Sequence, residues 1–327
     1  MKSFGGAACP CVLFLASALL GGCGSDDSGS APRSPGSGGT GGAGATGGSS
    51  ATGGNGGAGG SGGGAGATGG TGGTPSTTAT AVRVSEIFLR DPHIFLEALL
   101  CEDVTEMAPL GQKGVNQMFN DGITQDQPDG MTPADGNLDT SFLLIFRPLD
   151  PSGSGGDATF TQALCPAPHP PGACNLDPNA TLQPVTYTNM QSGTCLEPPA
   201  GTTGGYSPAP APTTGPCAVS NPFNMEVRLG GIPIELEGAR MAAQYMGDPI
   251  QGLVEGLIYG FMSEAKAQTT VLPSTIALVG GQPLANVLRN GTRCGPQNDM
   301  DTGPDGTTQG WYFMLNFKAQ VVNWTGP

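Results

Sequence analysis

The chain has 327 residues, a formal net charge of -14 and 57 glycines. Its 12 basic residues form no run or stripe, so nothing is placed to neutralise a phosphate backbone, and nucleic acid is excluded as a partner. The acidity suits solubility and divalent cations but names no substrate.

Residues 1–22 read as a targeting segment. Lys2 gives a positive start, and CVLFLASALL (residues 11–20) is an apolar run of about ten residues. That length fits a signal peptide and falls short of the ~20 residues that span a bilayer. The run ends in Leu20-Gly21-Gly22-Cys23. These four residues resemble the lipobox of bacterial lipoproteins: an aliphatic residue, two small residues beside the cleaved bond, then the lipid-bearing cysteine. The resemblance implies cleavage before Cys23 and acylation of its sulfur. Two or three acyl chains make such an anchor effectively permanent. Gly24, not Asp, follows the cysteine. By the sorting rule of enteric lipoproteins this implies the outer membrane.

Residues 23–80 are nearly all Gly, Ala, Ser and Thr. With no large apolar side chain to bury, such a segment cannot offset the entropy of ordering its backbone, so a disordered tether is expected. Its glycines do not keep the strict third-residue frame of collagen. As a flexible coil it spans ~40 Å. With the lipobox, it makes the chain similar to the surface lipoproteins with Gly-rich tethers found in large-genome soil bacteria. The phrases Asp135-Gly-Asn-Leu-Asp139 and Gly310-Trp-Tyr-Phe313 add to that likeness, which implies no mechanism.

Residues 81–327 are the foldable part. After Asp91-Pro92, either Asp91 caps a helix or Ile94, Leu96 and Ala98 alternate on a strand; alternation favours the strand. A helical turn or two is expected near residues 115–120. TSFLLIFR (residues 140–147) reads as a strand buried on both faces. Residues 151–222, rich in Pro, Gly and Thr, read as a long insertion. Met225, Val227 and Leu229 alternate with polar residues, and after Gly230-Gly231 the alternation resumes at Ile232, Ile234 and Leu236, giving two joined or kinked strands. Leu253, Leu257, Tyr259 and Phe261 continue in β style. Short helices are expected at residues 263–268, capped by Ser263, and at 283–289, with Pro283 at the first position. Residues 310–324 alternate most cleanly, with Trp311, Phe313, Leu315 and Phe317 on one face. Trp311 is expected in the core and Trp324 at a strand end. The fold class expected is mostly β: an antiparallel sandwich-like or barrel-like domain with few short helices and a disulfide-stapled Pro-rich insertion.

Beyond Cys9, Cys11 and Cys23, six cysteines remain, and an even number in an exported chain reads as disulfides. Short loops close readily, so Cys165–Cys174 and Cys195–Cys217 are expected as local staples, with Cys101–Cys294 by elimination. Zinc is the weaker reading, since the domain has no CxxC.

His93 and His169 are the only histidines. No GxSxG elbow or Walker-type phosphate cradle occurs in the domain; His93 reads as a turn or edge residue, with a general base as the alternative. Two acidic loops stand out: Asp126, Asp129, Asp135 and Asp139, then Asp299, Asp301 and Asp305. Closely spaced Asp with Gly is how loops supply oxygens to calcium. The second loop partly resembles an EF-hand or thrombospondin-type calcium loop, but Tyr312 stands where an EF-hand has Glu. The other reading is metal-free Asp-Gly turns. The function expected is a lipid-anchored envelope protein displaying a β-rich binding or structural module to a protein or carbohydrate ligand. The alternative is a secreted-type hydrolase using carboxylates, with or without calcium.

Overall fold

The structure, a computed structural model, describes residues 78–97, 101–107, 113–126, 134–202, 204–229, 231–274, 279–289 and 299–326. In chain order the elements are β1 (Thr80–Asp91), β2 (Phe95–Glu97), β3 (Cys101–Asp103), α1 (Val115–Thr124), β4 (Phe142–Arg147), β5 (Gly155–Leu164), β6 (Ala173–Leu176), β7 (Gln183–Met190), β8 (Thr194–Leu196), β9 (Thr213–Thr214), β10 (Cys217–Ser220), β11 (Phe223–Leu229), β12 (Ile232–Met246), β13 (Gly252–Ser263), α2 (Glu264–Thr269), β14 (Asp301–Thr302) and β15 (Gln309–Trp324).

Eight of these strands close on themselves. Each pairs antiparallel with the next in the order β1-β4-β5-β7-β10-β12-β13-β15, and β15 returns to β1. Closure leaves a barrel without free edges along the ring. β11 extends the ring by pairing antiparallel with the first half of β12, which follows the turn at Gly231. Alternation decides which side chains enter. Phe313, Leu315 and Phe317 of β15 point inward with Ile87 and Leu89 of β1 and Phe142 and Phe146 of β4. The interior is packed. One remaining cavity, about 30 Å³, is lined by apolar side chains such as Phe119, Phe160 and Met225.

Residues 151–222, expected to be an insertion, supply three barrel strands: β5, β7 and β10. Their Pro and Gly lie mostly in the connections. The Cys165–Cys174 and Cys195–Cys217 disulfides staple those connections. Cys101 is also disulfide-bonded, while Cys294 lies outside the described residues. The stapled loops cover the outside of the barrel in two patches, one over Leu143 and Ile145, the other over Val219, Ala242 and Leu257. That is why the run at residues 142–146 is buried on both faces.

α1 is longer than expected. Its Asn116 and Asn120, one turn apart, bond the backbone of Leu89 and Ile87 through their side chains, at 2.6–3.1 Å. They occupy the edge of β1 beyond the reach of β4, doing for that edge what a neighbouring strand does elsewhere. α2 is capped by Ser263, whose Oγ accepts the Lys266 N–H at 3.2 Å. The expected helix after Pro283 is only a 3-10 turn, Leu284–Val287.

Candidate functional site

Polar side chains converge where β1 ends. Asp91 closes β1, and His93 lies between β1 and β2; each is 2% exposed. Asp299, 7% exposed, and Asp301 arrive just before and at β14, which is held to β15. Gly204 and Tyr206 reach in from the loop between β8 and β9. Separations near a hundred residues are thus joined in one cluster.

Each group has a defined partner. Asp91 Oδ2 accepts the Gly204 N–H at 2.6 Å. The Tyr206 hydroxyl donates to Asp299 Oδ2 at 2.7 Å, and Asp301 Oδ2 accepts the Tyr312 N–H at 3.1 Å. His93 Nδ1 meets Asp103 Oδ2 at 2.5 Å. The Tyr206 ring lies flat on the His93 ring, centroids 4.0 Å apart and planes 7° apart. The Arg289 guanidinium sits 4.5 Å from the Phe95 ring centroid and 5.4 Å from that of Tyr206. His93 Nε2 is buried and has no hydrogen-bond partner among the described residues. A β-carbon on Gly204 would lie 2.1 Å from Asp299 Oδ1, so only glycine allows this approach.

Burial governs the electrostatics. It pushes the Asp91 carboxyl up to about 8, against the opposing Gly204 N–H and with added repulsion from Asp299 and Asp301. Asp301 is raised to about 6, again chiefly by burial, and Asp299 is raised with it. The Tyr206 phenol is pushed above its ordinary range by burial and by Asp299. Burial also works against charge on Asp103, but the hydrogen bonds from His93 and Thr105 outweigh it and hold its carboxyl below the usual value. At neutral pH Asp91 is therefore mainly a neutral acid beside carboxylates that ionise more readily.

Of the second acidic loop, Asp299 and Asp301 belong to this cluster. Asp305 does not: its carboxylate is exposed and accepts the N–H groups of Thr307 and Thr308 at 2.9 and 2.8 Å within its own turn. In the first loop, Asp126 accepts the N–H groups of Asp135 and Gly136, and Asp135 accepts that of Asn137. The Asp139 N–H reaches Gln125 O at 3.2 Å. Asp129 lies outside the described residues, as does Cys23. Among the described residues, no group of three or more His, Cys, Asp or Glu is arranged to hold a metal ion.

Sequence reasoning flagged Asp91 as a possible cap and His93 as a turn or edge residue, with a general base as its alternative, and it missed Asp103 and Tyr206. A lone tyrosine after two glycines in a Pro-rich stretch, Gly204-Gly205-Tyr206, was the one available signal. No family model, no curated protein and no solved structure matches the chain.

Proposed function

We propose that the chain is an exported lipoprotein, acylated at Cys23 and carried to the outer membrane, that displays the barrel on a Gly-rich tether as a binding module. One observation carries the module half. The barrel is filled, and the described acids at its end are each engaged by a protein donor, so the cluster fastens loops together and, among the described residues, presents no pair of free carboxylates to a cleft. The barrel's sidedness supports display from a tether. Its interior is apolar and its outer face carries groups such as the Glu86–Lys318 pair at 2.9 Å, the reverse of a membrane-embedded barrel. A carboxylate hydrolase is the second reading. It is favoured by Asp91, an acid kept protonated beside carboxylates, as acid–base catalysis uses.

The anchor half rests on the lipobox. Metabolic labelling with an alkyne-bearing palmitate in a diderm host should tag the wild-type protein, whose mature chain should begin at Cys23. Cys23→Ser should take no label and keep residues 1–22. Equal labelling of the two forms removes the anchor from the proposal.

A further inference from the structure

The Tyr206 ring is held as a bound ligand is held. One face lies on an imidazole, a guanidinium approaches the ring, the Phe95 ring flanks it at 6.1 Å, and a buried carboxylate accepts the hydrogen bond from its hydroxyl. Such stacking and charge-assisted bonding is how proteins select an aromatic ring that bears a donor. We propose that residues 204–212 are a gate, with Tyr206 as its resident occupant, over a slot that takes the hydroxylated aromatic ring of a ligand. This deepens the reading of the barrel as a displayed binding module and rests on it.

Three further observations support the gate. First, the segment is lightly held. Residues 205, 207–209, 211 and 212 are exposed. Besides the contacts of Gly204 and Tyr206, its ties include the pairing of the Ala211 backbone with the Asn316 side chain at 3.0 and 2.9 Å. Segments with few buried contacts open locally at small cost. Second, it is bounded. It begins at Gly204 and Gly205, where Gly205 has φ +74, and it runs into β9, next to the Cys195–Cys217 staple, so opening need not disturb the barrel. Third, Tyr206 does not complete the slot. His93 Nε2 is buried and unpartnered among the described residues. A buried polar atom left so costs about 1–3 kcal/mol, and a ligand bearing a second polar group can supply the missing partner.

A ligand must displace Tyr206, so its apparent affinity is lowered by the fraction of time the gate is open. Removing the occupant removes that factor. The probe is 4-methylphenol, with toluene as the ring without a hydroxyl. Each is titrated into the full lipoprotein in detergent micelles, read by the indole N–H resonance of Trp311, which donates to Arg289 O at 3.0 Å. Tyr206→Ala should bind 4-methylphenol at least about tenfold more tightly than wild type, and more tightly than it binds toluene by a similar factor. Asp299→Ala in that background should erase the preference for the phenol. Tyr206→Phe keeps the stacked ring but frees Asp299, and should give an intermediate gain of about threefold. If Tyr206→Ala fails to fold, the Tyr206→Phe comparison decides. No gain in either variant, or equal response to toluene, overturns the slot. Palmitate labelling is unaffected by this outcome, so loss of the slot and loss of the anchor are separate results.

Discussion

Arg83→Met should lower the free energy of unfolding by about 3 kcal/mol, the range expected when buried acceptors lose their donor. Arg83 is 1% exposed, and its partners are all neutral: Ser141 Oγ at 3.0 Å, Thr140 O at 3.2 Å, His169 Nδ1 at 3.2 Å, and Ile123 O. With no carboxylate beside it among the described residues, burial pushes the guanidinium down to about 10. Two effects then oppose each other. Methionine relieves the desolvated charge, and buried ions replaced by apolar groups often cost little. Against that, Ile123 is fully buried and Thr140 nearly so, so water cannot reach the carbonyls that the guanidinium serves. Ile123 O also lies in the last turn of α1, where a cation complements the helix dipole. The second effect should win. Arg83→Lys keeps the charge but not the fork of donors, and should lose at least half as much. Urea unfolding with the disulfides intact measures both; a loss under about 0.5 kcal/mol, the usual size of surface effects, would show that the carbonyls find other partners.

Asp91 gives the second large effect, read through pH. Its folded-state carboxyl, at about 8, lies above its ordinary value of 3.8, so the folded protein holds a proton that the unfolded chain has released. Stability therefore falls as pH rises from about 4 toward 8, by up to about 1.4 kcal/mol per pH unit, and levels off above that. Asp301, raised to about 6, and Asp299 act in the same direction. Asp103 is held low and acts oppositely: its contribution is present above the ordinary carboxyl range and is lost as pH falls below it. The stability optimum should thus be mildly acidic. Asp91→Asn keeps an acceptor for the Gly204 N–H without the titration. It should match wild type near pH 5, exceed it at pH 8, and flatten the slope between. Denaturant midpoints across that range check this, and a wild-type slope that survives in Asp91→Asn places the proton elsewhere.

Much of the sheet was legible in the sequence because its signal is local. The alternation from Trp311 to Phe317 and the break at residues 230–231 reappear in β15 and in the β11–β12 hairpin. β5 and β7 were hidden because the surrounding Pro and Gly dominate the composition of residues 151–222. Ala158 and Phe160 carry only a short alternation within that stretch. The pairing of Cys165 with Cys174 and of Cys195 with Cys217 followed from closure over short separations. The cluster around Asp91 was beyond reach for the opposite reason. Gly204 and Tyr206 meet their carboxylates across separations of 113 and 93 residues, and no periodicity reports on contacts of that kind. The buried role of His93 depended on Asp103, ten residues on, at the end of the β2–β3 pair.

β1 joins the two poles of the barrel. It runs from Thr80 to Asp91, 12 residues, or roughly 40 Å of extended chain at about 3.3 Å per residue. The chain enters at one pole and the aromatic slot lies at the other. If something held in the slot were pulled while the N-terminal side was fixed, tension would run lengthwise along β1. Its ladder to β15, from Ala81 opposite Val322 to Asp91 opposite Met314, would be loaded in shear, with its rungs resisting together and none unzipping first. On the proposed reading of a tethered module, the strand that ends at Asp91 is thus oriented to bear load between the tether and a ligand held at the far pole.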